Sequence, residues 1–145
     1  GKNIPVRYMT RGDSYTDGKS VTIAGNIKPE TFDQTVGLAL HEGSHIAYTD
    51  FQASYDAFDT MYQRESFEYR DFFKNMVNYV EDRRIDNIVF RSSPGYKGYY
   101  HTLYKKFFNH KTISKGLKSD MYREIDLDSY LFRIINFTNS ETDLP

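Results

Sequence analysis

The residues with the clearest chemical potential form the segment His41-Glu42-Gly43-Ser44-His45, which has the spacing H-E-x-x-H. In a helix, side chains four residues apart share one face, so His41 and His45 can present two imidazole nitrogens to one metal ion. Zinc suits such a pair, and a catalytic zinc site adds one more protein ligand and a water whose pKa the metal lowers. Glu42 is then placed to act as the general base. The segment therefore predicts a zinc site, with a pair of solvated surface histidines as the alternative.

The residues around this segment predict the helix that the site requires. Pro29 and the acidic residues Glu30 and Asp33 suit a first helical turn, so we expect a helix to begin near residue 30. Apolar or small residues then recur at helical spacing and form one stripe, which consists of Val36, Leu40, Gly43 and Ala47. Glycine is a poor helix former, so the place of Gly43 on this stripe predicts that another element comes close there.

A third protein ligand must come from elsewhere in the chain, and Glu81 is the one we predict. Residues 66–89 have the pattern of a long helix, and Glu81 falls among its apolar positions, which are Phe73, Val77, Val80, Ile85 and Ile88. A carboxylate directed towards the core needs a cation, and zinc would supply it. An ion pair with Arg84, or a contact with Arg83, is the alternative.

Three other acidic residues are candidates for a place at the site. Asp82 and Asp86 lie four residues apart, and one of them could accept the free N–H of a ligand histidine. A solvated helix edge accounts for these two residues equally well. Asp50 follows the first helix and either ends that helix or serves the site.

The combined pattern resembles a known family. H-E-x-x-H followed by a glutamate on a second helix is similar to the gluzincin metallopeptidases. Over roughly residues 36 to 90, the chain also resembles the metallopeptidase-like region found before von Willebrand A-like domains in phage and bacterial proteins, and part of the cobaltochelatase T subunit. The resemblance implies a zincin-like fold and hydrolysis of a peptide or protein substrate, with Zn²⁺ bound by His41, His45 and Glu81 and water activated by Glu42.

The chain departs from the usual gluzincin pattern at one position. Those enzymes often place an acid four residues after the third ligand, and this chain has Ile85 there. The departure leaves Asp82, with Asp86 four residues further on, as an alternative ligand. Asp50 is a weaker alternative, because a metzincin-like spacing would place the third ligand at Phe51.

Length and composition predict a single α+β, mainly helical domain over residues 1–145. A chain of 145 residues that is 39% hydrophobic and 17% aromatic can bury a core. Residues 5–10 and 20–24 have the pattern of strands and predict a small N-terminal β-hairpin or sheet beside the H-E-x-x-H helix. The second strand is placed to bind a peptide by β-addition, although a purely structural hairpin is at least as good an interpretation. Residues 56–64, 99–108 and 128–137 predict the helices of a following helical subdomain.

The remaining compositional features concern the protein's setting. No apolar run is long enough to span a membrane and no leader peptide opens the chain, so we expect no membrane segment and no signal peptide. The absence of cysteine is consistent with a reducing cytoplasm, which would be the host cytoplasm for a phage protein. Because the chain starts at Gly1 and ends in polar residues, it could be a fragment with an additional C-terminal domain or partner.

Charge distribution supplies the main rival interpretation. Residues 91–118, the basic aromatic stretch, contain seven basic residues, several aromatic residues and no acidic one. Such a stretch could hold phosphates and stack bases, although a net charge of −1 for the whole chain argues against a nucleic-acid-binding domain. The stretch could instead line a peptide cleft and stabilise an oxyanion, for which the candidates are Tyr96, Tyr99, Tyr100 and His101. Besides a metallopeptidase and a nucleic-acid-binding domain, the sequence is also consistent with a non-catalytic, zinc-containing interaction module.

Overall fold

The computed structural model describes residues 3–25, 27–64 and 66–139. Over these ranges the chain is α+β and mainly helical, which confirms the predicted class. The strands come first and are β1 (Val6–Met9), β2 (Tyr15–Thr16) and β3 (Val21–Ala24). The helices follow and are α1 (Phe32–Tyr48), α2 (Phe51–Arg64), α3 (Phe67–Ser92), α4 (Lys97–Phe107), α5 (Lys111–Lys118) and α6 (Leu127–Phe137).

The strands form a small sheet in the order β1-β3-β2. β1 pairs with β3 in parallel, whereas β2 pairs with β3 in the antiparallel direction. The small sheet was predicted. A hairpin of its two predicted strands is wrong, because β1 and β3 run parallel and β2 lies between them in the sequence. β-Addition along the whole of the second predicted strand is also wrong, since β3 is central, with β1 paired along one edge and β2 paired with Val21 and Thr22 on the other.

Most helices lie close to their predicted positions. A short 3₁₀ turn at Pro29–Thr31 leads into α1, and α3 extends the predicted helix by three residues at its C-terminal end. α5 was not predicted, because it is short and contains too few apolar residues among its lysines to show a helical repeat. Its N-terminus is capped by the His110 side chain, whose Nδ1 accepts a hydrogen bond from the backbone N–H of Thr112 at 3.3 Å. None of the helices in the described part of the chain is long and apolar enough to cross a membrane.

The chain divides into two compact units. The first consists of Gly1–Phe51 and Glu81–Leu103, and the second of Gln52–Val80 and Tyr104–Pro145. In the first unit β2 and β3 pack against α1, and the residues with almost no exposed surface are Val21, Ile23, Ile85 and Tyr100. In the second unit α5 packs against α6, and Leu117 is fully buried. The H-E-x-x-H segment and the acidic candidates all belong to the first unit.

Candidate metal site

α1 presents the two histidines side by side. His41 and His45 are one helical turn apart, and their ring centroids lie 4.9 Å from each other with the ring planes nearly perpendicular. Both side chains are mostly buried, with 13% and 16% of their surface exposed. The predicted alternative, a pair of solvated histidines, is therefore wrong, because both rings are enclosed by neighbouring side chains.

The C-terminal half of α3 supplies two carboxylates, Asp82 and Asp86, which are four residues apart, as the two histidines are. Ile85, Asp86 and Val89 are buried, and Asp82 lies three, four and seven residues before them, which places it at the centre of the same helix face. Asp86 has only 2% of its surface exposed. The interpretation of Asp86 as part of a solvated helix edge is therefore wrong.

Each histidine contacts one of the two carboxylates, and His41 lies near both. His41 Nδ1 lies 3.0 Å from Asp86 Oδ1, and His45 Nε2 lies 3.2 Å from Asp82 Oδ1. His41 Nε2 lies 3.6 Å from the same Asp82 oxygen. Asp86 thus makes the contact that we predicted for one of the two acids, and both Nε2 atoms face Asp82.

His41, His45 and Asp82 form what we call the metal group, because each offers a ligand atom within 4.8 Å of the other two. Ligand atoms bound to a tetrahedral zinc at about 2.0–2.2 Å lie roughly 3.3–3.6 Å apart. The distances of 3.2 and 3.6 Å between histidine nitrogens and the Asp82 oxygen are close to that spacing. Two nitrogens and one carboxylate oxygen are also a donor set typical of a catalytic zinc site. The residues present therefore fit a zinc ion.

Thr49 connects His45 to Glu81. The Thr49 hydroxyl donates to Glu81 Oε1 at 2.7 Å and lies 2.9 Å from His45 Nδ1. Because a hydroxyl has one proton and this proton goes to the carboxylate, His45 Nδ1 must be the donor to Thr49 Oγ1. Nε2 of a neutral His45 is then free of a proton. Sequence reasoning missed this role of Thr49, although its position four residues after His45 signals a contact along the helix.

Glu81 lies beside the metal group rather than in it, unlike the predicted arrangement. Its carboxylate accepts hydrogen bonds from Arg84 Nε and Nη2, both at 2.7 Å, and Arg84 also donates to the Tyr48 carbonyl at 2.5 Å. The bond from Arg84, with that from Thr49, holds the pKa of Glu81 below its usual value despite partial burial. The alternative ion pair with Arg84 is thus present, because Glu81 lies about 100° around the helix from Asp82.

Close contacts between the histidines and the carboxylates shift the pKa values of His41 and Asp82. Burial lowers the pKa of His41, but the hydrogen bonds and charges of Asp82 and Asp86 outweigh burial and raise this pKa to about 10. Burial raises the pKa of Asp82, but hydrogen bonds with His41 and His45 lower it to about 2. An arrangement that stabilises positive charge on an imidazole also favours a bound cation, which competes with the proton.

Glu42 is placed differently from the other acids. Its carboxylate makes no hydrogen bond or ion pair with any residue in the described ranges, and it lies in the field of His41, His45 and Asp82. Burial raises the pKa of Glu42, while the two histidines lower it and leave a net increase. A carboxylate with a raised pKa and no fixed partner suits proton transfer.

The remaining candidates lie outside the metal group. Asp50 is exposed in the short connection between α1 and α2. Tyr100 is fully buried, its hydroxyl lies 3.3 Å from Ser44 Oγ, and burial raises its pKa to about 12. It therefore has no surface through which to contact a substrate in this conformation. Tyr99 is half-buried and His101 is exposed, and their oxyanion role stays a prediction.

The close approach expected at Gly43 occurs elsewhere on α1. A Cβ atom at Gly43 would meet nothing within 4 Å among neighbouring elements, and this glycine lines an open, mainly apolar cavity of about 290 Å³. A Cβ atom at Gly37 would instead clash with the Tyr99 carbonyl oxygen. The expectation for Gly43 is therefore wrong, because α4 crosses α1 nearly two turns earlier.

Comparison of the chain with protein-family models, with curated proteins and with solved structures finds no match. The resemblance to gluzincin metallopeptidases therefore depends on the residues of the motif alone.

Proposed function

We propose that this chain is a zinc-dependent metallopeptidase domain with a zincin-like site, which hydrolyses peptide bonds in a peptide or protein substrate. One observation carries the proposal: both histidines have Nδ1 held by a neighbouring acceptor while both Nε2 atoms face one oxygen of Asp82. Ligand histidines in metal sites are commonly oriented in this way. The cytoplasmic location stays a prediction.

The ligands in this proposal are His41, His45 and Asp82. A zinc ion held by them would supply Lewis acidity and lower the pKa of water at the site. Asp86 orients His41 and is itself held by Arg83, whose Nη2 donates to Asp86 Oδ2 at 2.6 Å. Asp82 replaces Glu81 as the proposed third ligand because its carboxylate, and not that of Glu81, faces both Nε2 atoms.

Glu42 is the proposed general base. It follows the first ligand directly, its carboxylate has no hydrogen-bonding partner among the described residues, and burial raises its pKa. It can therefore take a proton from water near the metal group and pass it to the leaving amine. A non-catalytic zinc module would use the same ligands but would have no need of this carboxylate.

The Glu42→Gln variant tests the reaction. We expect it to keep zinc within a few-fold of the wild-type affinity, because Glu42 is not a ligand, and to lose about 10²- to 10⁴-fold in peptidase rate. Zinc content is measured by elemental analysis after dialysis, and hydrolysis with an unstructured protein such as casein. Glu30→Gln, in the exposed turn before α1, is the matched control. Unchanged hydrolysis in Glu42→Gln would rule out the mechanism, and zinc binding without hydrolysis by the wild-type protein would favour the non-catalytic module.

The Asp82→Asn and Glu81→Gln variants test the ligand assignment. Asp82→Asn removes a charged ligand oxygen, so we expect it to weaken zinc binding more than Glu81→Gln does. Glu81→Gln acts through Thr49 and should cost about 10- to 100-fold at most. Competition with a chromophoric chelator measures both affinities. The reverse order would return Glu81 to the ligand set.

A further inference from the structure

Helix α5, in the second unit, carries a feature that the metallopeptidase proposal does not use. Ile113, Gly116 and Leu117 lie on the face of α5 that packs into the protein, and a Cβ atom at Gly116 would lie only 2.9 Å from the Phe132 ring. Three lysines occupy the opposite face at spacings of four and three residues, and all are exposed: Lys111, Lys115 and Lys118. We call this the lysine face.

The lysine face lines an open groove of about 460 Å³. Asn109, Ser114 and Ser119 complete the lining, so the groove contains lysines, hydroxyl groups and an amide but no acidic residue. The surrounding sequence is equally one-sided, because no acidic residue occurs between Asp86 and Asp120. The residues that line the groove thus carry positive charge or a neutral polar group, and none of them carries negative charge.

Helix stability accounts for only part of this pattern, because Lys115 and Lys118 lie in the last turn of α5, where positive charge favours the helix dipole, but Lys111 does not. Lys111 lies in the first turn of α5, where a positive charge opposes the helix dipole, and that turn contains no acidic residue. Lys111 and Lys115 are like charges at a spacing of four residues, which also destabilises a helix. None of the three lysines makes an ion pair within the described ranges of the chain.

We propose that the lysine face binds the phosphate backbone of a nucleic acid. The three ammonium groups are spread over about 10 Å of helix, a length that can follow several phosphates of a strand. Phe107, at the end of the preceding helix, is 49% exposed, and Lys106 Nζ lies 5.3 Å from the centroid of its ring, which places a further positive charge beside an exposed aromatic ring. An anionic membrane fits less well, because the apolar residues of α5 are buried against the protein and cannot enter a lipid surface.

The test uses the full chain and labelled oligonucleotides of about 20 nucleotides, single-stranded and duplex, with fluorescence anisotropy as the readout. A chelator is present so that the metal site does not contribute. If three phosphates are neutralised, affinity should fall roughly 20- to 40-fold between about 50 and about 200 mM salt. The triple variant Lys111→Gln, Lys115→Gln, Lys118→Gln should weaken binding at least about tenfold and flatten this salt dependence. The two oligonucleotides show whether a single strand or a duplex is preferred.

The matched control removes the same charge from the first unit, with Arg7→Gln, Lys19→Gln and Lys28→Gln, all at exposed positions. This variant should bind as the wild-type protein does. Equal loss in both triple variants would overturn the proposal, because net charge alone would then explain binding. Absence of oligonucleotide binding would overturn it as well, including the case in which vesicles rich in phosphatidylserine bind through the same lysines.

Discussion

At the level of single residues, different groups orient the two histidine rings in the same way. A carboxylate, Asp86, accepts the Nδ1 proton of His41, whereas a hydroxyl, Thr49, accepts that of His45 and passes its own proton to Glu81. Both arrangements leave Nε2 directed at Asp82. The orienting role of Thr49 depends on Glu81, because the Thr49 hydroxyl keeps a fixed direction only while its proton has a fixed acceptor.

The Thr49→Val variant tests this orienting role. Valine keeps the shape of threonine but neither accepts from His45 nor donates to Glu81, so we expect zinc affinity to fall about 10- to 100-fold. Thr49→Ser retains the hydroxyl and should restore most of the affinity. Thermal unfolding of both variants in chelator separates a change in folding from a change in the site. Wild-type zinc affinity in Thr49→Val would show that Thr49 does not position the ring.

At the level of elements, α1 contains two glycines with opposite packing. Gly37 lies against the backbone of α4, since a Cβ atom there would clash with the Tyr99 carbonyl oxygen. Gly43 borders an open cavity and has room for a side chain. Gly37 therefore sets how closely α4 can approach, while Gly43 only lowers the helix propensity of α1.

Substituting each glycine with alanine should change the free energy of unfolding in opposite directions. Gly37→Ala forces a backbone shift and should cost about 1–3 kcal/mol, by analogy with overpacked cores. Gly43→Ala should stabilise the protein by up to about 1 kcal/mol, because alanine is the better helix former. Denaturant unfolding in the presence of a chelator measures both values. Equal effects of the two substitutions would contradict the packing described for α1.

At the level of the whole molecule, chemistry is divided between the two units. The metal group lies in the first unit, and the lysine face lies in the second. The net charge of −1 does not reveal the lysine face, because its three lysines are offset by acidic residues elsewhere in the chain. Each unit can therefore be probed by its own ligand.

Zinc should stabilise the first unit more than the second. At a free zinc concentration about 100 times the Kd, binding to the folded state contributes about 2.7 kcal/mol. We expect hydrogen exchange to slow in α1 and in residues 81–92, with a smaller change in α2. Asp82→Asn should abolish the difference between zinc and chelator. Exchange in α1 that does not respond to zinc would contradict a metal site between His41, His45 and Asp82.

Local patterns were enough to predict several parts of this protein. The helical repeat and the residues of the first turn predicted α1, and the spacing of His41 and His45 placed both rings on one face. The reason is that helix formation and contacts between residues four apart depend mainly on near neighbours in the chain. The small sheet was predictable as two strands, but their parallel pairing was not, because it depends on β2.

Only the tertiary structure decided which acid faces the histidines. Glu81, Asp82 and Asp86 all lie on α3, and neighbouring positions differ by a rotation of about 100° around the helix axis. Ile85 and Val89 are buried on the same helix face as Asp82, and the Asp82 and Asp86 carboxylates of this face contact the histidines of α1. The contact of Thr49 with Glu81 joins residues 32 positions apart, so it exists only once the helices are packed.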